Sequence, residues 1–499
     1  MSQPPPVRSS PFATDVFKLV TGTTVAQFIA VLASPILTRL YGPEAFGFFA
    51  IFLSITGIIG VIACMRYELA IMLPENDQDA INLLGLSLVM VGFITVLTGV
   101  GLFLSGGVIL ALLQAPGLAP YLWLVPLFVC VSGIFLALNY WNSRTRHFGR
   151  LSVARVTSAV TTTGAQLSAG FAGHATGASL IGASLAGSVI ATGVLGGQIW
   201  RDDRSLIKKS VSLQGMLSGL KRYKKFPLID SSSALLNTFS WQLPVLLLSG
   251  FFSPVIVGFY ALGMRVLHAP MNLIGGAIAQ VFFQRAAEAR RDGTLGKLVE
   301  DVFRSLVLIG LFPLLVLTVI GGDIFIVVFG EVWQEAGMYI QILGIWTFIW
   351  FISSPLSTLY IVLEKQDFGF KYNIANLITR LGSLIAGGIM GNVYIALILF
   401  AISGIVVYGY LCLSMMKFSG VSWSAVKRIV LSNLILFAPV GCLLLGLKVL
   451  DIKPIILVGV ACLAAILYYM YIIRTDTQFQ MVLNQFELLK YVKKESVEK

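Results

Sequence analysis

Apolar stretches of roughly 20 residues, the length a helix needs to cross a ~30 Å hydrocarbon layer, follow one another from residue 17 to residue 474 with little between them. Inside such a layer every backbone N–H and C=O must be satisfied within its own segment, so a chain of this pattern folds as a bundle of spanning helices. The stretches number about fourteen, at 17–38, 45–64, 82–105, 118–138, 151–172, 177–199, 230–249, 255–282, 302–322, 337–362, 371–391, 394–416, 424–447 and 455–474. Only 12% of residues are charged, and Pro, Gly and short basic clusters mark the joins. The leader Met1 to Pro11 is Pro-rich, and no small-residue cleavage site follows a short apolar core, so the first stretch is expected to be a retained helix.

The joins alternate in charge. With a cytoplasmic N-terminus, Arg66, Arg144, Arg146, Arg150, the cluster from Arg201 to Lys225, Arg285 to Arg304, Lys365, Lys417 and everything from Arg474 onward fall on one side. The other side keeps Arg39, Lys448 and Lys453. A helix missed or added early in the chain destroys this asymmetry, so an even number of helices with both termini cytoplasmic is expected. The net charge of +12 is then topology. No soluble basic module with interleaved aromatics is present, as nucleic-acid binding needs.

Catalysis and cofactors find little support. Cys64, Cys130, Cys412, Cys442 and Cys462 lie at or within the spans without paired spacing, and His147, His174 and His268 lie in different segments. No metal site, catalytic residue or cofactor is therefore expected. No GxxxxGK[ST] phosphate loop occurs either, so transport through such a bundle runs on an ion gradient, on membrane potential, or downhill.

A weak internal repeat divides the chain. Pro43, Gly47, Phe48 and Ala50 recur as Pro254, Gly258, Phe259 and Ala261, and Phe148-Gly149 recurs as Phe368-Gly369, at matching helix numbers. The expected fold is an all-α integral membrane protein with two pseudo-symmetric six-helix bundles related by an axis along the membrane normal, plus two C-terminal helices. The expected divisions are a first bundle at 1–200, a basic cytoplasmic linker at 201–229, a second bundle at 230–417, helices thirteen and fourteen at 418–474, and a tail at 475–499. The linker's cations suit anionic lipid head groups, or capture of an anionic head group before transport. In the tail, Phe479, Val482, Phe486 and Leu489 have the spacing of a surface-lying helix.

Polar residues inside the spans carry the functional information. An arginine near the bilayer centre costs roughly 2.5–3.5 kcal/mol on insertion scales, so it faces protein or water. Arg155, Ser158, Thr162 and Gln166 share one helix face; so do Arg265, His268, Asn272 and Gln280, and Asn373, Asn376, Arg380 and Ser383. Asn237 and Gln242 in the seventh span and Gln27 in the first complete a candidate polar lumen. Arg265 and Arg380 lie near mid-depth with no carboxylate expected at the same level, and Arg155 is shallower. Cations in that setting suit a phosphate, pyrophosphate or acidic sugar. Glu68 and Asp230, near helix ends, are the candidates for ion coupling, with an Arg66–Glu68 pair as the plainer alternative.

The segments LTRLYGPEAFGFFAIF, MRYELAIMLPEND, FPLIDSSSALLNTFSWQLPVLLLSGFFSPVIVGFYALGMRVLHAPMNLIGGAIAQVFFQRA and VLEKQDFGFKYNIANLITR resemble the polysaccharide-biosynthesis flippases of the Wzx type, in the multidrug/oligosaccharidyl-lipid/polysaccharide superfamily. The resemblance extends over nearly the whole chain. It implies a multi-pass protein of the bacterial inner membrane that flips undecaprenyl-pyrophosphate-linked oligosaccharide units for O-antigen, capsule or exopolysaccharide synthesis. Alternating access of a central cavity between two bundles is the implied mechanism, and Arg265, Arg380 and Arg155 match the cationic lumen. Implied partners are the lipid-linked oligosaccharide, membrane lipids, and polysaccharide polymerase and chain-length proteins. A drug or cation antiporter, a lipid II or teichoic-type exporter, and a membrane-bound glycosyltransferase are the alternatives. An antiporter wants a membrane-embedded acid, and a transferase wants a catalytic carboxylate or His in a sizeable loop.

Overall fold

The computed structural model describes residues 11–270 and 276–475, so Asn272 and the tail from 476 onward lie outside the described residues. Among those described, every regular element is helical. Their contacts group them into two compact units, residues 1–261 and 262–499.

The first unit holds α1 (Pro11–Leu40), α2 (Pro43–Gly60), α3 (Tyr67–Ala70), α4 (Asp77–Leu112), α5 (Leu124–Arg144), α6 (Phe148–Phe171), α7 (Gly177–Ser210), α8 (Leu213–Arg222), α9 (Ser231–Phe251) and the start of α10 (Pro254–Pro270). The second holds the rest of α10 with α11 (Gly276–Arg291), α12 (Leu295–Phe329), α13 (Gln334–Leu356), α14 (Leu359–Val362), α15 (Gln366–Ile389), α16 (Val393–Phe418), α17 (Trp423–Val449) and α18 (Pro454–Thr475). Each expected span overlaps helical residues, and 255–282 and 337–362 each run over two helices. Among the described residues, eleven helices are long and apolar enough to cross a membrane by length and composition alone. Outside that set are α10, which is short, and α6 and α15, which carry the polar stripes. The expected single span 255–282 covers most of α10 and the start of α11, with residues 271–275 between them outside the described ones.

Local chemistry sets the helix starts. The Asn76 side chain accepts from Asp79 N–H at 2.8 Å to open α4, and Asp77 and Asp79 place negative charge in its first turn. Thr176 and Ser179 cap α7 reciprocally, Asn392 caps α16 and Ser422 caps α17. Proline opens α2 and α10, where its missing N–H leaves nothing unsatisfied.

Packing order repeats between the units. In the first, α4 packs on α5, α6 on α7, and α5 on α7. In the second, α12 packs on α13, α15 on α16, and α13 on α16, which is the same order in the second half of the repeat. The repeat breaks at its first helix: α1 runs along α6, whereas its counterpart α9 packs on α2. The motif residues themselves meet. A Cβ on Gly47 lies 2.5 Å from the Pro254 carbonyl carbon, and one on Gly258 lies 2.8 Å from that of Pro43. Each glycine thus receives the first peptide of the other's helix, a reciprocal crossing that only a missing side chain permits.

Ion pairs gather helix ends of the first unit at one level. Arg144, ending α5, meets Asp77, opening α4, at 3.0 Å, and Arg150, opening α6, meets Asp202, near the end of α7, at 2.6 Å. These elements therefore alternate in direction, as the charge pattern requires.

The last two helices dock on α12. Phe312 stacks on Tyr468 with centroids 4.5 Å apart and meets Phe437 edge-on at 5.5 Å. Pro313 has no N–H for the carbonyl of Ile309, and Tyr469 Oη donates to that oxygen at 2.8 Å instead. The helix kinks at Ile320, where φ is −122° and ψ 26°, and a helical segment then runs past the expected end at 322 to Phe329. Asp323 is therefore helical, and it is paired with Lys448 of α17 at 3.2 Å.

Candidate functional site

In the first unit the polar residues assemble around a break between α2 and α4. Met65 and Arg66 take left-handed backbone, φ 50° and 61°, a strained conformation for side-chain-bearing residues. The turn leaves the Arg66 side chain partly exposed and buries that of Glu68. Arg66 Nε donates to Asp230 Oδ2 at 2.8 Å, and its Nη1 to Glu68 Oε1 at 3.4 Å. Glu68 is fully buried, and its Oε2 has no hydrogen-bond partner among the described residues. Burial pushes its carboxyl up to about 7; Arg66 opposes that shift and Asp230 adds to it. The two carboxylates expected as coupling candidates thus share one arginine across 164 residues of sequence.

Asp230 is placed by a π-turn, Phe226–Asp230, that leads into α9. Along α9, Asn237 is exposed. Gln242 Oε1 accepts from Ser54 Oγ of α2 at 3.0 Å, so Gln242 ties two helices together. Arg155 is half-buried and donates from Nη1 to Thr23 Oγ1 at 2.5 Å, joining α6 to α1. Gln27, one turn further along α1, is half-buried.

In the second unit, Arg265 and Arg380 are placed differently. The Arg265 side chain is exposed, although α10 is apolar around it. Arg380 is 3% exposed and donates from Nη2 to Tyr408 Oη of α16 at 2.7 Å, with its guanidinium 6.0 Å from the Tyr408 ring centre. Asn376 Nδ2 donates to the same phenol at 3.3 Å. The phenol is flanked by Tyr372, whose ring meets it edge-on at 5.9 Å.

His268 joins this cluster from α10. Its ring lies 4.8 Å from that of Trp350, which stacks on Trp346 at 6.1 Å, and Arg380 is within electrostatic reach of it. His268 Nε2, Asn376 Oδ1 and Trp346 Nε1 are buried without hydrogen-bond partners among the described residues. The arrangement holds one cation among aromatic faces and donors, a setting that attracts anions and polar oxygens. Among the described residues no group of His, Cys, Asp or Glu is arranged to hold a metal ion.

Sequence spacing identified the polar stripes and left out the partners. Tyr408, Trp346 and Trp350 read as ordinary core aromatics in apolar spans. Asp323 escaped notice because the expected span stopped one residue short of it.

Residues 36–338 match the family described as polysaccharide biosynthesis protein. The lipopolysaccharide biosynthesis protein WzxC of Escherichia coli (strain K12) is 24% identical over 165 residues, covering 32% of this chain and 33% of the relative. The teichuronic acid biosynthesis protein TuaB of Bacillus subtilis (strain 168) is 25% identical over 197 residues, covering 38% and 40%. The aligned regions thus span well under half of either relative. Among solved structures, lipid II flippase MurJ in an inward closed conformation superposes with a TM-score of 0.69 at 12% identity, over 91% of this chain and 98% of that one. An inward-facing multidrug resistance MATE transporter of the MOP superfamily superposes at 0.58 and 16% identity, over 81% and 96%. At these identities the likeness is one of fold.

Proposed function

We propose, from the premise that this chain belongs to the polysaccharide biosynthesis protein family, that it flips lipid-linked oligosaccharide units across the bacterial inner membrane by alternating access. The family and the fold are those of transporters, not enzymes. The carrier lipid of this reading is undecaprenyl pyrophosphate, and the charged side of the bundle, with both termini, is cytoplasmic.

One observation carries the reading: Arg265 is exposed to solvent although protein closely surrounds it. It lies roughly 16 Å along α10 from Pro254 at 1.5 Å per residue, well inside a spanning helix. Exposure to lipid at that depth is costly, so the side chain faces water. A cation in a hydrated path through apolar helices suits the pyrophosphate, while a polyprenyl tail stays in the bilayer beside the protein. Exposed and half-buried amides such as Asn237 and Gln27 suit sugar hydroxyls. A drug or cation antiporter is disfavoured by the same residue, since a cationic cargo meets repulsion there.

Coupling to an ion gradient is assigned in this reading to the Arg66–Glu68–Asp230 cluster. A buried carboxyl that titrates near neutral pH takes up or releases a proton as its burial changes. The test is flipping of a lipid-linked oligosaccharide in reconstituted vesicles, with and without a pH gradient. Cells lacking the gene should lose a surface polysaccharide and accumulate its lipid-linked repeat on the cytoplasmic face. Loss of drug efflux with polysaccharide intact would overturn the reading.

A further inference from the structure

Helix α8 plays no part in the site just described, and its placement is unusual. Asn82 of α4 holds its start at both ends of the amide: Nδ2 donates to Ser210 O at 2.9 Å, and Oδ1 accepts from Ser212 N–H at 2.8 Å. Ser212 then caps the helix through Gly215 N–H at 3.0 Å. The inner face is kept small and close: a Cβ on Gly215 lies 2.5 Å from Asn82, and one on Gly219 lies 2.9 Å from Leu83. Met216 packs towards Gly85, and Tyr67 Oη donates to Leu220 O at 3.3 Å. Thus α8 is pinned across the second and third turns of a spanning helix, near the end that Asp77 and Asp79 open.

The outer face has a different chemistry. Leu213 and Leu217 are 72% and 50% exposed, one turn apart, Lys221 continues the same stripe, and Lys224 is exposed in the turn after the helix. Arg222 and Lys225 are exposed beside them, and Lys208 and Lys209 are exposed before the helix. From Lys208 to Ile229 the chain has no Asp or Glu. An apolar stripe followed by cations at a bilayer boundary matches one surface on both counts: acyl chains below the head groups and phosphates at them. An acidic protein partner would leave the leucines uncovered.

We propose that α8 and its flanking cations form an in-plane docking surface for anionic phospholipid head groups, with Leu213 and Leu217 inserted at the acyl boundary. The surface stands apart from the transported molecule, so it can fail while the flippase reading holds, and the reverse.

Spin labels on L213C and L217C, in the full chain with Cys442 and Cys462 changed to Ser, test it in nanodiscs of phosphatidylcholine with or without phosphatidylglycerol. Both labels should be open to oxygen and shielded from a water-soluble nickel relaxant, whereas a label at Gln214 stays open to nickel. Phosphatidylglycerol retained after detergent washing should exceed phosphatidylcholine, and the preference should collapse at high salt in the unaltered protein. K221Q/R222Q/K224Q/K225Q should weaken that retention roughly tenfold or more with an unchanged melting temperature. Nickel access at both leucine positions, equal retention of the two lipids, or displacement of the bound lipid by inorganic pyrophosphate overturns the proposal.

Discussion

Gly47→Ala perturbs the point where the internal repeat touches itself. The new methyl carbon stands 2.5 Å from the carbonyl carbon of Pro254 and closer still to its oxygen. Unstrained carbon contacts need about 3.5–4.0 Å, so α2 and α10 must part by an ångström or more. The obstacle is a peptide group at a helix start, which no rotamer change can move aside. Overpacking of this kind costs about 1–3 kcal/mol. If that falls only on conformations that hold the crossing closed, their population drops by about 5- to 150-fold relative to the others. The assay is the labelling rate of a cysteine at Ala45, which is buried beside the crossing, with a membrane-impermeant thiol reagent. The rate should rise by that factor in A45C/G47A over A45C, and polysaccharide export should fall in step. Gly258→Ala should act alike, and the double variant should add less than the sum, since both relieve one contact. Unchanged labelling, export and melting temperature in G47A would refute the reasoning, because the helices would then not depend on the close approach.

Further outcomes follow from the charged groups. Arg265→Ala should abolish export with the protein still inserted, and Arg265→Lys should restore part of it, as read by surface polysaccharide on complemented deletion cells; normal export from the Ala variant would remove Arg265 from the path. Glu68 has a carboxyl raised from 4.5 to about 7, so the fold binds its proton more tightly than the unfolded chain does. Stability should therefore be full below pH ~4.5, fall as pH rises towards about 7 and fall no further above it, and thermal midpoints of Glu68→Gln should lose that slope. Arg66→Ala should push the Glu68 carboxyl further up, so that the fall of stability with pH extends to higher pH. Asp230→Asn, at a side chain 43% exposed, should cost under ~1 kcal/mol and move the same fall to lower pH, since Asp230 adds to the rise; an identical pH profile in the two variants would show that Glu68 does not depend on Arg66.

The sequence alone determined that the chain is a helical membrane protein, roughly where each span lies, and which residues share a face. Those properties depend on span length, apolar content and the 3.6-residue period, all of which are local. The stripes on α6 and α15 were legible for that reason, and so was the repeat at Pro43 and Pro254. Which way each face turns was decided only by tertiary structure. Arg380 and Arg265 look equivalent in sequence, yet one is closed against Tyr408 and the other is exposed. Arg66 could be matched with Glu68 from its neighbourhood, but its bond to Asp230 required α9 to pack on α2 rather than follow the pattern of α1. The physical reason lies in the bilayer. Lipid and neighbouring helices are equally apolar, so an apolar face does not say which of them it meets, and helix rotation is set by small-residue contacts and polar partners far away in the chain.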